Sequence, residues 1–231
     1  MGPTPSPSEV AYPWYRLVQM HGEEGARWVR EYAEQVNPHT DRIMAAVPLM
    51  RRGGLSEGEA MLAESRAGLN AIPWEDPSVK DVADRWYYGA LGYLHYCRGE
   101  YEEADRIMAL ACDSMAQAVA RHRFLLVVVD EVVELVLHRA RVARNRHRWS
   151  EMQGHVDAAR GMRDGTVPYT VLEDGREVWL RDVQALLDEL PLPDEARPVR
   201  PHLQREVDRR QDTDRCVRDV LRIPGLVIQH P

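Results

Sequence analysis

The sequence predicts an all-α fold of antiparallel helical hairpins stacked as an α-solenoid. Apolar residues recur at spacings of three and four along most of the chain, the period of a helix with one buried face. The runs are separated by short connections carrying Gly, Pro or Asn, and short connections make consecutive helices antiparallel neighbours. With 44% hydrophobic residues in 231, the chain has ample material for a buried core.

Residues 1–7 are rich in proline and are expected to be disordered. Helices are then expected over 8–20, 23–36, 39–52, 56–70, 77–98, 101–121, 123–147, 150–163, 175–190 and 202–222. Paired in order they make five hairpins. Asn37-Pro38 reads as a cap followed by a first-turn proline. Ser56 with Glu59, Ser150 with Gln153 and Asp174 with Glu177 fit capping boxes or a close variant. A short β-hairpin near 167–180 competes with the helix from 175, because Val167–Leu172 and Val178-Trp179-Leu180 flank Asp174-Gly175. The helix is preferred, since Trp179, Val183, Leu186, Leu187 and Leu190 continue a helical stripe. The expected organisation is a helical domain over 8–190, followed over 191–231 by a proline-rich connection, a charged helix and an apolar tail.

Composition excludes several classes of function. The net charge of −7, with both signs interspersed, argues against a dedicated nucleic-acid binder, which carries a clustered basic face. The most apolar run, 123–148, is broken by acids after a handful of residues, so no membrane span is expected. Cys97, Cys112 and Cys216 are widely spaced and fit neither a zinc knuckle nor a disulfide framework. With no secretion signal at the N-terminus, this points to a cytoplasmic protein; one lysine, Lys80, among many arginines points to a bacterial genome. No nucleophile elbow, Walker pattern or Gly-x-Gly-x-x-Gly loop occurs, so no catalytic residue and no cofactor is assigned, and an enzyme is the less favoured reading.

One hairpin carries a specific signature. Leu91-Gly92-Tyr93-Leu94-His95-Tyr96-Cys97-Arg98-Gly99-Glu100-Tyr101-Glu102-Glu103-Ala104, continued to Ala111, resembles a tetratricopeptide repeat, over about residues 84–121. In that family Gly92 would let two helices approach closely, Gly99 would make the turn, Tyr101 would fill the hairpin base, and Ala104 and Ala111 would keep the second helix thin. A weaker match through Ala140, Trp149 and Ala159 extends to 163. The resemblance implies an adaptor or regulatory protein that binds a protein or peptide partner in a concave groove. The alternative is a small-molecule-binding protein or helical enzyme, with or without a metal, built around a closed aromatic-lined cavity.

The stretch 123–148 bears on where such a groove lies. On a helical wheel Leu125, Val128, Val129, Val132, Val133, Leu135, Val136, Ala140 and Ala143 gather on one arc. Asp130, Glu131, Glu134, His138, Arg141, Arg144 and Asn145 fall on the other. The resemblance places Trp86, Tyr93 and Tyr96 on the groove face of one hairpin, opposite Glu134, Arg141, Arg144 and Asn145 of the next. The expected groove therefore comprises Trp86, Tyr93, Tyr96, Asp130, Glu134, His138, Arg141, Arg144 and Asn145. Glu134 and His138 share a face, but a helical metal site wants Glu-x-x-His pairs and none occurs, so no metal is assigned. His147 and His155 are expected at the surface. The apolar tail Gly225–Ile228 offers a docking segment, and a homodimer is expected.

Overall fold

The computed structural model describes residues 18–19, 21–128, 131–172, 174–179, 181–182, 185, 217 and 220–221. Over these the chain is a set of packed helices with one small sheet. Helices α1 (Gly22–Glu31), α2 (Asn37–Arg51), α3 (Leu55–Ala71), α4 (Pro77–Arg98), α5 (Tyr101–Arg121), α6 (Glu131–Asn145) and α7 (Trp149–Asp164) follow one another. The chain ends its described body in strands β1 (Thr170–Val171) and β2 (Glu177–Val178), paired antiparallel with Thr170 opposite Val178. The expected disordered tail over 1–7, helix 8–20 save its last turn, and most of 191–231 lie outside the described residues.

Helix α2 packs against α3, α4 against α5, and α6 against α7; α4 also packs on α2 and α3, and α5 on α6. The tightest join is α4 with α5. A Cβ at Gly92 would stand 2.7 Å from Cγ of Met108 and 3.3 Å from the Ala104 carbonyl oxygen, so the two helices meet where no larger residue fits. Ala104 and Ala111 are fully buried on the facing side, and the fully buried Leu94 of α4 adds about 1.5–3 kcal/mol of burial energy. The turn between the two helices runs through Gly99 at φ 78°, whose amide donates to the Tyr96 carbonyl at 3.1 Å.

Several boundaries differ from the sequence expectation. Asn37-Pro38 opens α2 with the proline in its first turn, as expected, but Asn37 is the first helical residue rather than a cap. A π-helical turn, Tyr32–Val36, joins α1 to α2 and absorbs the proline, with the Asn37 amide donating to the Tyr32 carbonyl. Ser56 and Ser150 are the second residues of helices that begin at Leu55 and Trp149, and no side chain caps either start. The well-capped start is α4, where the Asp76 carboxylate accepts from the Ser78 amide at 2.9 Å and Pro77 opens the first turn. The expected helix 123–147 is shorter. Arg123–Val128 forms a 3-10 segment in which Phe124, Leu125, Leu126 and Val128 are all buried, a connection embedded in the core rather than one face of a helix.

The competition near 175 is decided for the hairpin. The Asp174 side chain accepts from the Arg176 amide at 3.0 Å and so closes the turn, and Tyr169 and Leu172 donate across to Val178 and Arg176. Helical residues resume only at Arg181, where the Asp182 carboxylate reaches back to the Trp179 amide at 3.0 Å. No helix among the described residues is long and apolar enough to cross a membrane.

Candidate functional site

Four elements converge on a cleft of about 260 Å³. Arg51 at the end of α2, Tyr93 and Tyr96 of α4, Met108 of α5, and His138 and Arg141 of α6 line it. Tyr93 and Tyr96, three apart on α4, stack with ring centroids 6.1 Å apart, and Tyr101 at the start of α5 leans on Tyr96 at 5.8 Å. The tyrosines stand side by side because the adjacent face of α4, with Gly92, is used up against α5.

The polar groups are ordered by one another. Arg141 donates through Nη1 to Nδ1 of His138 at 2.9 Å. A guanidinium has only donors, so Nδ1 is the acceptor and the imidazole proton sits on Nε2. Burial, then the positive charges of Arg141, Arg85 and Arg51, push the His138 pKa down to about 4, so the ring is neutral at pH 7. Asn145 donates to the Tyr96 hydroxyl oxygen at 3.1 Å. The Arg51 guanidinium lies 6.0 Å from the Tyr93 ring centre; burial outweighs its charge and raises the Tyr93 pKa.

Of the residues expected in the groove, Tyr93, Tyr96, His138 and Arg141 are brought together, with Asn145 bonded behind Tyr96. Three others are elsewhere. Trp86 packs against the core beneath the Arg85 guanidinium, 4.0 Å from its ring. Arg85 pairs with Glu131 at 2.7 Å, a bridge from α4 to α6. Arg144 donates to the carbonyl of Val220, itself a buried residue, at 2.8 Å. Glu134 is exposed and does not line the cleft, and Asp130 lies outside the described residues. Sequence reasoning missed Arg51 and Met108. Arg51 comes from the preceding hairpin, and no local pattern announces that a helix end will reach across to α4.

One other cluster has the donor set of a metal site. The ligand atoms of Asp105, Glu151 and His155 lie within 4.8 Å of one another. His155, expected at the surface, is instead half-buried, with Glu151 four residues before it on the same face of α7. The acids are already matched. Arg139 grips Asp105 at 2.7 and 3.4 Å, while Arg146 and Arg148 reach Glu151 at 3.5 and 3.4 Å. A cation would have to displace contacts from three guanidiniums, and burial together with Arg139 lowers the His155 pKa.

A larger recess of about 360 Å³ lies between the hairpin and the end of α5. It mixes Arg123 and Arg176 with Glu177 and Asp182, and so has no net chemical preference. Of the cysteines, Cys97 and Cys112 are free, and burial pushes the Cys112 thiol up to about 11, far from a reactive thiolate. No family model, curated protein or solved structure matches the chain.

Proposed function

We propose that the protein is an adaptor or regulatory module, built as a tetratricopeptide-like array, that receives a segment of a protein partner in the cleft between α4 and α6. The observation that carries this reading is the convergence of Tyr93, Tyr96, Arg51 and Arg141 on one half-open cleft. Stacked tyrosines beside arginines are the side chains that dominate partner recognition, because they offer rigid area and directed donors at low entropic cost. The array reading is supported by the close approach at Gly92, the fully buried Ala104 and Ala111, and the turn at Gly99. The enzyme reading wanted a closed cavity holding a carboxylate of raised pKa. The cleft lining contains no carboxylate, and Asp81, whose pKa burial does raise, is bonded to Arg121 at 3.0 Å away from it.

Selection of short peptides from a random displayed library against the full chain tests the proposal. Peptides are expected that bind the wild type and lose roughly tenfold or more in affinity to Tyr96→Ala. Failure to recover any, or recovery of peptides indifferent to Tyr96→Ala, contradicts it. Homodimerisation through residues 223–231 is a separate proposal, tested by sedimentation of a chain lacking them.

A further inference from the structure

We infer that the recess between the β1–β2 hairpin and the end of α5 is a second binding site, one that takes a free aliphatic α-amino acid. The inference does not rest on the partner-binding reading of the cleft, and the two stand or fall separately.

The floor of the recess is apolar and already in place. Val119 of α5, Leu126 of the 3-10 segment, and Leu172 and Val178 of the hairpin line it, each between 4% and 7% exposed. Leu126, Leu172 and Val178 belong to the main core, so a ligand meets a surface that packing has fixed. The volume of about 360 Å³ is near the small end of small-molecule pockets, roughly 300–1,000 Å³, and suits one compact metabolite better than a stretch of polypeptide. No aromatic ring among the described residues lines the recess, so the floor matches branched alkyl groups rather than flat rings.

Charge decides the head group. The rim sets Arg123 and Arg176 against Glu177 and Asp182, which cancel in sum. A phosphate would meet two carboxylates and a metal ion two guanidiniums, so the recess prefers neither. Two of the four charges are already engaged. Arg176 donates to Asp174 at 2.6 Å, and the Asp182 carboxylate accepts from the Trp179 amide at 3.0 Å. Among the described residues the side chains of Arg123 and Glu177 form neither an ion pair nor a hydrogen bond. The charge of Arg123 falls instead on another basic group, since burial first and Arg123 second lower the His21 pKa.

One cation on the 3-10 segment and one anion on β2 therefore face one apolar recess with nothing yet bonded to them. A molecule carrying a carboxylate, an ammonium and an alkyl group answers all three features. The carboxylate takes paired donors from Arg123, the ammonium donates to Glu177, and the alkyl group covers the floor. Arg123 and Glu177 are exposed, so each adds modestly and the floor supplies most of the affinity.

Leucine titrated into the full chain and followed by methyl NMR tests the site. Saturable shifts are expected at Val119, Leu126, Leu172 and Val178. Leucine amide, which lacks the carboxylate, and 4-methylpentanoate, which lacks the ammonium, should each bind about fivefold to tenfold more weakly. Arg123→Gln should weaken leucine by a similar factor and erase its advantage over the amide; Glu177→Gln should erase its advantage over 4-methylpentanoate. Both positions are exposed, so the fold tolerates either change. Equal affinity for leucine and its two analogues, or equal affinity of the wild type and the two variants for leucine, overturns the inference. So does a titration in which valine, isoleucine, leucine and methionine all leave these methyls unmoved or shift another face instead.

Discussion

Arg141 and His138, one turn apart on α6, are joined by a hydrogen bond of 2.9 Å in which a cation donates to a histidine. The pair is stable only while the ring is neutral, since a protonated imidazole has no acceptor to offer. Burial and the nearby guanidiniums of Arg141, Arg85 and Arg51 enforce this by pushing the pKa down to about 4. Nitrogen-15 NMR of the histidine rings should show His138 as the Nε2–H tautomer, titrating well below the others. A ring that titrates near its ordinary value would show that the bond is absent in solution.

The same shift makes stability depend on pH. Between the unfolded value of 6.5 and the folded value of about 4, the unfolded chain binds the proton and the native chain does not. Stability from His138 is therefore complete above pH 6.5, falls as the pH drops through that window, and levels off below about 4. The upper bound is about 3 kcal/mol for the group. His138→Gln, measured by urea denaturation across this range, should flatten the slope; an unchanged slope would assign the loss to His21, His39 or His155, whose pKa values burial also lowers.

Gly92→Ala places a methyl carbon 2.7 Å from Cγ of Met108, and Ala104→Leu overfills the same join from the other helix. Each is expected to cost about 1–3 kcal/mol in chemical denaturation. Met108→Ala should relieve part of the Gly92→Ala defect. Additive losses would mean that the two helices meet elsewhere.

Asp76 caps α4 and ties three segments together. Its carboxylate accepts from Ser78 through the amide and the hydroxyl and bonds the His122 ring at 2.7 Å, while His122 also reaches Glu24 at 3.1 Å. Burial alone would raise its pKa, but these bonds outweigh it and hold the carboxyl below the usual range. Asp76→Ala should destabilise by about 1–2 kcal/mol, and Asp76→Asn, which keeps the cap, by less. Equal losses would assign the effect to His122 rather than to the cap.

The cluster of Asp105, Glu151 and His155 is held by Arg139, Arg146 and Arg148. Thermal melts with a chelator or with added zinc should therefore coincide. A melting temperature raised by zinc would mean that the metal displaces the guanidiniums.

The helices from α1 to α7 were legible because each buries one stripe, and that periodicity is written locally. The hairpin at 170–178 is not the preferred reading of the sequence because the apolar spacing from Trp179 onward argues for a helix from 175, whereas the turn that Asp174 closes holds 174–178 in the hairpin. Residues 123–128 defeated the wheel for another reason. Consecutive buried residues, Phe124, Leu125 and Leu126, leave no helical period to read, and the segment is 3-10. In the cleft, Tyr93, Tyr96, His138 and Arg141 were visible as helix faces. Arg51 was not, because its position depends on how one hairpin is laid on the next. Arg144 and Trp86 were misplaced for the same cause: contacts with Val220 and with the Arg85–Glu131 bridge are tertiary and leave no local mark.

Chemical-shift mapping of the full chain, titrated with a peptide recovered by display, tests the cleft most directly. The account predicts perturbations centred on Arg51, Tyr93, Tyr96, His138 and Arg141. Perturbations centred on another face would contradict it.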